Sequence, residues 1–364
     1  MNESTANIPA YSLFINPKDL QELNRDIWRN EHVPAQLKTN QNSFKIEIAY
    51  RGALTRELPK KSYHILFKKP GRFLGGREIH LNAEYLDPSL LRNKLSFDFF
   101  RDLNILSPAA KFVLLKLNGS FKGVYLHLES VDDLFLKNRN LPAGAIYYAR
   151  NDDANFSLLN PDNYEVKKSL LDGYKQKYGS PSDDGFLREL IFKTNTVPRA
   201  DFAKEIVKHI DIEKYLRWLA GVVCTQNYDG FIQNYALYRN SVTGLFELIP
   251  WDYDGTWGRS CHGKEMAYHY VPIQGSNTLT ARILDIPAFR HSYRRLLEEI
   301  LETSFTRNLL EPRITSLYHL LRPHIPLDPY KKDDIEGFDA EPEYIIRFIV
   351  NRNHYLKEQF VALK

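Results

Sequence analysis

Apolar and polar residues change period several times along this chain, and each change marks an element. Pro17-Lys18-Asp19-Leu20 opens a helix that carries Leu20, Leu23, Ile27 and Trp28 on one face. The residues before it read as a frayed start, and Val33 to Asn42 as a polar connection. Phe44 to Tyr50 alternates like a half-buried strand, a polar loop runs from Arg51-Gly52 to Pro59, and a second strand follows at Ser62 to Phe67. Glu78 to Asn82 reads as a short strand or turn. Asp87-Pro88-Ser89 then caps a helix rich in Leu and Phe, through Leu90, Leu91, Leu95, Phe97, Phe99 and Phe100. Phe112 to Asn118 and Gly123 to Glu129 form a hairpin about Asn118-Gly119, a dipeptide that suits the positive φ angles of a tight turn. Ala145 to Ala149 is a short apolar strand, and the polar stretch from there to about Pro198 reads as loops and short helices.

Further on the pattern becomes mainly helical. Asp211 starts a helix with a stripe of Tyr215, Leu216, Leu219, Ala220, Val222 and Val223. Tyr235 to Arg239 and Leu245 to Ile249 make a hairpin across the turn signal Asn240 to Gly244. Asn277-Thr278-Leu279-Thr280 caps another helix. Apolar faces through Leu296, Leu297, Ile300 and Leu301, and later Ile345, Ile346, Phe348 and Ile349, complete a helical region. The pattern as a whole predicts an α+β fold: a strand-rich first part, residues 1–145, and a mainly α second part, residues 146–364.

Composition narrows the class. Hydrophobic content of 43% with 13% aromatics predicts a folded globular protein. The 49 basic residues against 45 acidic ones are too evenly matched to indicate nucleic-acid binding. Two cysteines, Cys224 and Cys261, imply no disulfide framework and suit a reducing compartment. Met1 to Ala10 lacks the apolar centre of a signal peptide, and no apolar run is long enough to span a membrane. A soluble cytosolic protein is the expectation.

The candidate chemistry lies between Asn227 and Gly258. Asp229 and Asn234 are five apart, and Asp252 and Asp254 follow beyond the hairpin, whose return would bring them close to Asn234. Three carboxylates and an amide offer hard oxygen ligands, which suit Mg²⁺ or Mn²⁺ and not zinc. Protein kinases use such a set: an Asp that orients the hydroxyl nucleophile, an Asn five residues on, and a metal-binding Asp beyond a hairpin. Spacing alone leaves an equal alternative, an Asx-rich pair of turns whose carboxylates cap backbone N–H groups. Downstream, Arg259 to Tyr270 holds Cys261, His262, Lys264 and His269 in no zinc-binding spacing, and reads as a mobile loop near the site.

The run Pro250-Trp251-Asp252-Tyr253-Asp254-Gly255-Thr256-Trp257-Gly258, with Asn227-Tyr228-Asp229 and Asn234-Tyr235 upstream, resembles the signature of the CotH kinase family. The resemblance extends to Tyr50-Arg51-Gly52, Lys60-Lys61-Ser62-Tyr63-His64, Leu91 to Leu95, Asn118-Gly119, Gly123-Val124-Tyr125 and Asn277 to Thr280, nearly the full length. It implies a bilobal, atypical protein-kinase-like fold with a strand-rich N-lobe and a mainly helical C-lobe. The implied activity is ATP- and Mg²⁺- or Mn²⁺-dependent phosphorylation of Ser or Thr on spore coat proteins with Ser-rich, basic repeats. The implied location is the mother-cell cytosol and then the spore coat.

The same resemblance suggests roles. Asp229 would orient the hydroxyl. Asn234 and Asp252 would hold metal, with Asp254 a further ligand or a residue that orients the first. Lys61, just before Ser-Tyr, matches the phosphate-binding lysine, while Lys60 should point to the opposite side of the strand. Arg51 is a second cationic candidate, and for both a solvated surface charge is the competing reading. Glu129 would pair with Lys61 or reach a metal, unless it is an edge-strand surface carboxylate. Tyr147 or Tyr148 would stack on adenine, with core packing the alternative, and Trp251 joins the nucleotide-contacting set. The Arg92-Asn93 pair would face the cleft or bond backbone near its helix start.

Departures from ordinary kinases are visible. No Gly-x-Gly-x-x-Gly separates the early strands, Asn227-Tyr228 stands where His-Arg is usual, and no Ala-Pro-Glu closes an activation segment. Two other classes use the same residues: a non-catalytic, nucleotide-binding coat scaffold, and a metal-dependent hydrolase or nucleotidyl transferase.

Overall fold

The computed structural model describes residues 8–68 and 71–364, so the opening of the polar N-terminus read above lies outside the described residues. The chain begins with β1 (Ala10–Ile15), α1 (Pro17–Arg25), β2 (Val33–Lys38), β3 (Ser43–Arg51), β4 (Ser62–Phe67) and β5 (Glu78–Asn82). Then come α2 (Arg92–Asp102), β6 (Ala110–Leu117), β7 (Ser120–Glu129), α3 (Asp133–Lys137), β8 (Ile146–Ala149) and β9 (Tyr174–Tyr178). After α4 (Asp184–Thr196), α5 (Arg199–Ile206) and α6 (Ile212–Thr225) the hairpin β10 (Tyr235–Arg239) and β11 (Phe246–Pro250) follows. Helices α7 (Thr278–Leu284), α8 (Pro287–Thr303), α9 (Arg307–Leu321) and α10 (Ile335–Glu358) finish the chain. The fold is mixed α and β. Two compact units are built from interleaved segments: the first from residues up to 94, 109–130 and 312–342, the second from 95–108, 131–311 and 343–364.

The first unit holds a closed barrel in the order β1-β2-β3-β4-β5-β7-β6. Closure comes from β1, which runs antiparallel to β2 and parallel to β6. Alternate residues point inward, as strand geometry requires: Tyr11, Leu13 and Ile15 from β1, Ile46, Ile48 and Tyr50 from β3, Tyr63, Ile65 and Phe67 from β4, with Ile79 and Leu81 from β5. Asn118 and Gly119 both adopt positive φ at the β6–β7 turn, as their sequence predicts.

Three expectations fail here. The supposed frayed start contains β1, whose Tyr11/Leu13/Ile15 alternation is visible in the sequence. The supposed connection contains β2, where only Val33 and Leu37 are buried, too few to display a period. Trp28 lies beyond α1 and is half exposed, so it does not belong to that helix's buried face.

The first unit also encloses charge. The Lys60 ammonium has no exposure; it donates to the Val124 carbonyl at 2.7 Å and pairs with Asp328 at 3.2 Å. Asp328, equally buried, accepts from the Val124 and Tyr330 amides, each at 2.9 Å. Gly123 takes φ +94°, and a Cβ there would fall 2.0 Å from an Asp328 carboxylate oxygen, so glycine is required on both counts. Burial pushes the Lys60 pKa down against the opposing pull of Asp328.

The second unit has a four-stranded antiparallel sheet, β11-β10-β8-β9. Its central helix, α6, packs against α8 and β11 and buries Tyr215, Leu216, Trp218 and Leu219 among others. Asp211 caps α6 through the Lys214 amide, and Asn277 caps α7 through the Thr280 amide. The polar stretch before Pro198, read as loops and short helices, includes β9 and the thirteen-residue α4. Among the described residues no helix is long and apolar enough to cross a membrane.

Candidate functional site

The C-terminus of α6 launches the polar stretch. Gln226 turns the chain into the left-handed region at φ 59°, and the Asn227 side chain accepts from the Gly230 amide. Arg352, fully buried, fixes this end: its guanidinium donates to the Val223 carbonyl at 2.7 and 3.1 Å and to the Tyr268 carbonyl at 2.9 Å. Asp229 then starts a single 3-10 turn, its carbonyl accepting from Ile232 and Gln233.

The hairpin returns as its sequence predicts. Tyr235 pairs with Pro250, and just outside that last rung the Trp251 amide donates to the Asn234 carbonyl at 3.0 Å. Asn234 and Asp252 thus flank the open end of one hairpin, both left-handed at φ 56° and 59°. Trp257 is left-handed too, at φ 51°. For a bulky side chain that conformation is costly and persists only where packing enforces it. Packing does so: the buried indole donates to Ser96 at 2.8 Å and stacks on Phe305. Tyr253, between the two aspartates, is buried against Phe100. The apolar positions of Asp-Tyr-Asp-Gly-Thr-Trp are anchors, and they present the acidic ones.

Asp229 senses Asp252. Burial raises the Asp229 pKa first, and the Asp252 charge raises it further. The Cys261 thiol, hydrogen-bonded to the Asp229 carboxylate, and His262 pull the other way. Cys261 itself is pushed up to about 11 by burial and by the charges of Asp229 and Asp254. Two half-buried carboxylates that repel, with an Asn side chain on the same hairpin, are oxygen donors of the type that Mg²⁺-class cations take. Asp254 also accepts from the Gly255 amide. Among the described residues Asp229, Asp252 and Asp254 do not close into a three-ligand cluster. Spacing alone did not identify Cys261 as a partner of Asp229.

Near the hairpin, Tyr147 and Tyr148 pair with Leu237 and Ala236 of β10. Tyr147 is buried and its hydroxyl donates to Asp184 at 3.1 Å. Tyr148 is less buried; its hydroxyl accepts from the Val131 amide at 2.9 Å, and its ring meets Trp251 edge to face at 4.9 Å. In the first unit, Lys61 donates to the Arg56 carbonyl and lies over the Tyr50 ring. Lys60 and Lys61 therefore have separate neighbours. Arg51 donates to the Asn82 side chain, and Glu129 accepts from the Ala109 amide at 2.8 Å. Arg92 is buried in ion pairs with Asp87 and Glu341, while Asn93 donates to Glu84.

Comparison with known proteins adds kinship to this geometry. A family described as "CotH kinase protein" matches residues 48–356. The chain is 57% identical to inner spore coat protein H of Bacillus subtilis (strain 168) over 361 residues, covering 99% of this chain and all of the relative. An inner spore coat protein H-like protein of the same organism is 28% identical over 304 residues, 84% of this chain and 87% of the relative. Among solved structures, a Helicobacter pylori proinflammatory kinase, CtkA, aligns over 94% of this chain and 96% of its own at 9% identity, with a TM-score of 0.31.

Proposed function

Because the chain belongs to the CotH kinase family, we propose that it is an atypical protein kinase that phosphorylates Ser or Thr on spore coat proteins. The observation that carries this is geometric: the last rung of the β10–β11 hairpin and the Trp251 amide bond to the Asn234 carbonyl set Asn234 and Asp252 at one open end, and the Asp229 carboxyl, raised by burial and by the Asp252 charge, accompanies them. A carboxylate lifted toward neutrality is a better proton acceptor than an ordinary one. In the proposed reaction the acceptor hydroxyl oxygen attacks the γ-phosphorus of ATP, the bond to the β-phosphate oxygen breaks, ADP leaves, and the hydroxyl proton passes to Asp229. Asn234, Asp252 and Asp254 would hold the divalent cation, which when bound neutralises phosphate charge.

Lys61 is the proposed phosphate-binding lysine, since Lys60 is committed to Asp328. Arg51 and Glu129 are assigned to phosphate and to the lysine or metal, and Tyr148 with Trp251 to the adenine end; Tyr147 is buried, with its hydroxyl on Asp184, and takes the core-packing alternative. The overall arrangement proposed is a kinase-like pair of lobes. Coat proteins rich in Ser and basic repeats are the proposed substrates, met in the mother-cell cytosol and then in the coat.

The test is transfer of label from γ-³²P-ATP, with Mg²⁺ or Mn²⁺, to a Ser-rich coat protein. Wild type should label the acceptor, and Asp229→Ala and Asp252→Ala, folded by circular dichroism, should lower the rate by about 10²–10⁴-fold. ATP binding without labelling of any coat protein would favour a coat scaffold. Inorganic phosphate release without labelled protein would favour a hydrolase, and labelling that persists in both variants would refute the site.

A further inference from the structure

Away from the proposed catalytic hairpin, the outer wall of the barrel carries a second set of ligand-type side chains. On β4 the inward residues are Tyr63, Ile65 and Phe67, so His64 lies on the opposite face; on β5 the inward Ile79 and Leu81 put Glu78 and His80 outside. His64 and His80 are direct cross-strand partners, with stacked rings 4.9 Å apart at 14°. Glu78 stands two residues before His80 on the same face. One ligand atom from each of the three residues lies within 4.8 Å of the others. All three are at least half buried, and the two strands holding them are locked into a closed sheet.

We infer that His64, Glu78 and His80 form a binding site for a borderline transition-metal ion, Zn²⁺ foremost. Three features favour this over a simple His–Glu contact. The His64 Nε2 atom is buried and makes no hydrogen bond, yet it lies 3.4 Å from a Glu78 carboxylate oxygen. Two ligand atoms about 2.05 Å from a tetrahedral zinc ion lie roughly 3.3 Å apart, so this edge already has the coordination spacing. The other nitrogen of the same ring, Nδ1, is 3.0 Å from Nε2 of His32. A metal-bound imidazole is commonly held through its second nitrogen in this way, which fixes the ring and leaves its partner atom for the ion.

The donor set decides the class of ion. Two imidazoles and a carboxylate suit zinc and its neighbours, whereas Mg²⁺ and Ca²⁺ want oxygen. Three protein ligands leave a fourth position for solvent. The site is chemically distinct from the all-oxygen set on the hairpin, and it does not depend on the kinase reading. Binding ties β4 to β5, so the ion stabilises the barrel.

The experiment uses the untagged full-length chain, stripped with a chelator and titrated with Zn²⁺ against a chromophoric competitor, with Co²⁺ absorption reporting geometry. One ion per chain should bind, raise the thermal unfolding temperature, and resist millimolar Mg²⁺. His64→Ala, His80→Ala and the near-isosteric Glu78→Gln should lose that stoichiometric ion and the thermal shift. His32→Ala should weaken binding about 10–100-fold, and Asp252→Asn should leave it unchanged. Failure of wild type to retain Zn²⁺ at micromolar concentration would overturn the inference. So would equal retention by Glu78→Gln and His80→Ala, or loss on Asp252→Asn alone.

Discussion

Replacing Asp328 by Ala tests whether the first unit depends on its enclosed ion pair. Lys60 and Asp328 have fully buried side chains 3.2 Å apart, and Asp328 also satisfies the Val124 and Tyr330 amides. Removing one partner of such a pair typically costs 3–5 kcal/mol, because the other charge is stranded. An independent bound agrees. Burial already pushes the Lys60 pKa down, and without Asp328 nothing nearby of equal strength opposes it. The variant escapes by releasing the proton, and roughly 3.5 pKa units separate a free lysine from pH 7, so the escape costs at most about 5 kcal/mol.

That route has a signature. In the variant the unfolded chain holds one more proton than the folded one between neutrality and about pH 10. Stability relative to wild type must therefore rise with pH from neutrality, by up to about 1.4 kcal/mol per unit, until the lowered Lys60 pKa of the wild type is reached. Denaturant unfolding followed by far-ultraviolet circular dichroism, at several pH values from 7 to 10, measures both quantities. Adding Lys60→Met should return part of the loss. A cost below about 1 kcal/mol, or a difference from wild type flat in pH, would refute the reasoning.

Two further outcomes follow from titratable groups. His127, buried in the barrel with Tyr11 at 2.9 Å, has its pKa lowered to about 3 by burial, with the Lys111 charge adding to the effect. The unfolded chain takes up a proton that the folded one refuses, so stability falls as pH drops from about 6.5 toward 3, by up to ~1.4 kcal/mol per unit; a His127→Gln variant should lose this slope in acid unfolding curves. At the hairpin, Asp252→Asn should lower the Asp229 pKa by removing a neighbouring charge, and Cys261→Ala should raise it by removing a hydrogen bond. Carbon-13 carboxyl titration by NMR reads both, and shifts of the same sign in the two variants would contradict the assigned causes.

What the sequence revealed was local. The caps at Asp211 and Asn277, strand β4, the Asn118-Gly119 turn and the β10–β11 hairpin each declare themselves within a few residues, by periodicity or by a side chain reaching its own backbone. The Asn234/Asp252 juxtaposition was legible for the same reason, since a hairpin fixes what faces what. Barrel closure was not: β1 pairs with β6, about a hundred residues away, and no local pattern encodes that partner. Strand β2 has too few buried residues to declare itself. The Lys60–Asp328 pair spans 268 positions, so Lys60 read as one more charged residue beside a strand. His64, Glu78 and His80 likewise read as strand residues, because their proximity depends on register across β4 and β5.

The interleaving of segments in the first unit bears on how the protein is made. Lys60 leaves the ribosome 268 residues ahead of Asp328. At about 5–20 residues per second, the lysine and the strands around it wait roughly 15–50 seconds for their counter-charge. Throughout that interval the nascent barrel must leave Lys60 in water or hold it neutral, so its final closure belongs to the end of translation. A stalled or truncated chain lacking residues beyond 327 would carry every barrel strand and still be missing the carboxylate on which their enclosed charge depends.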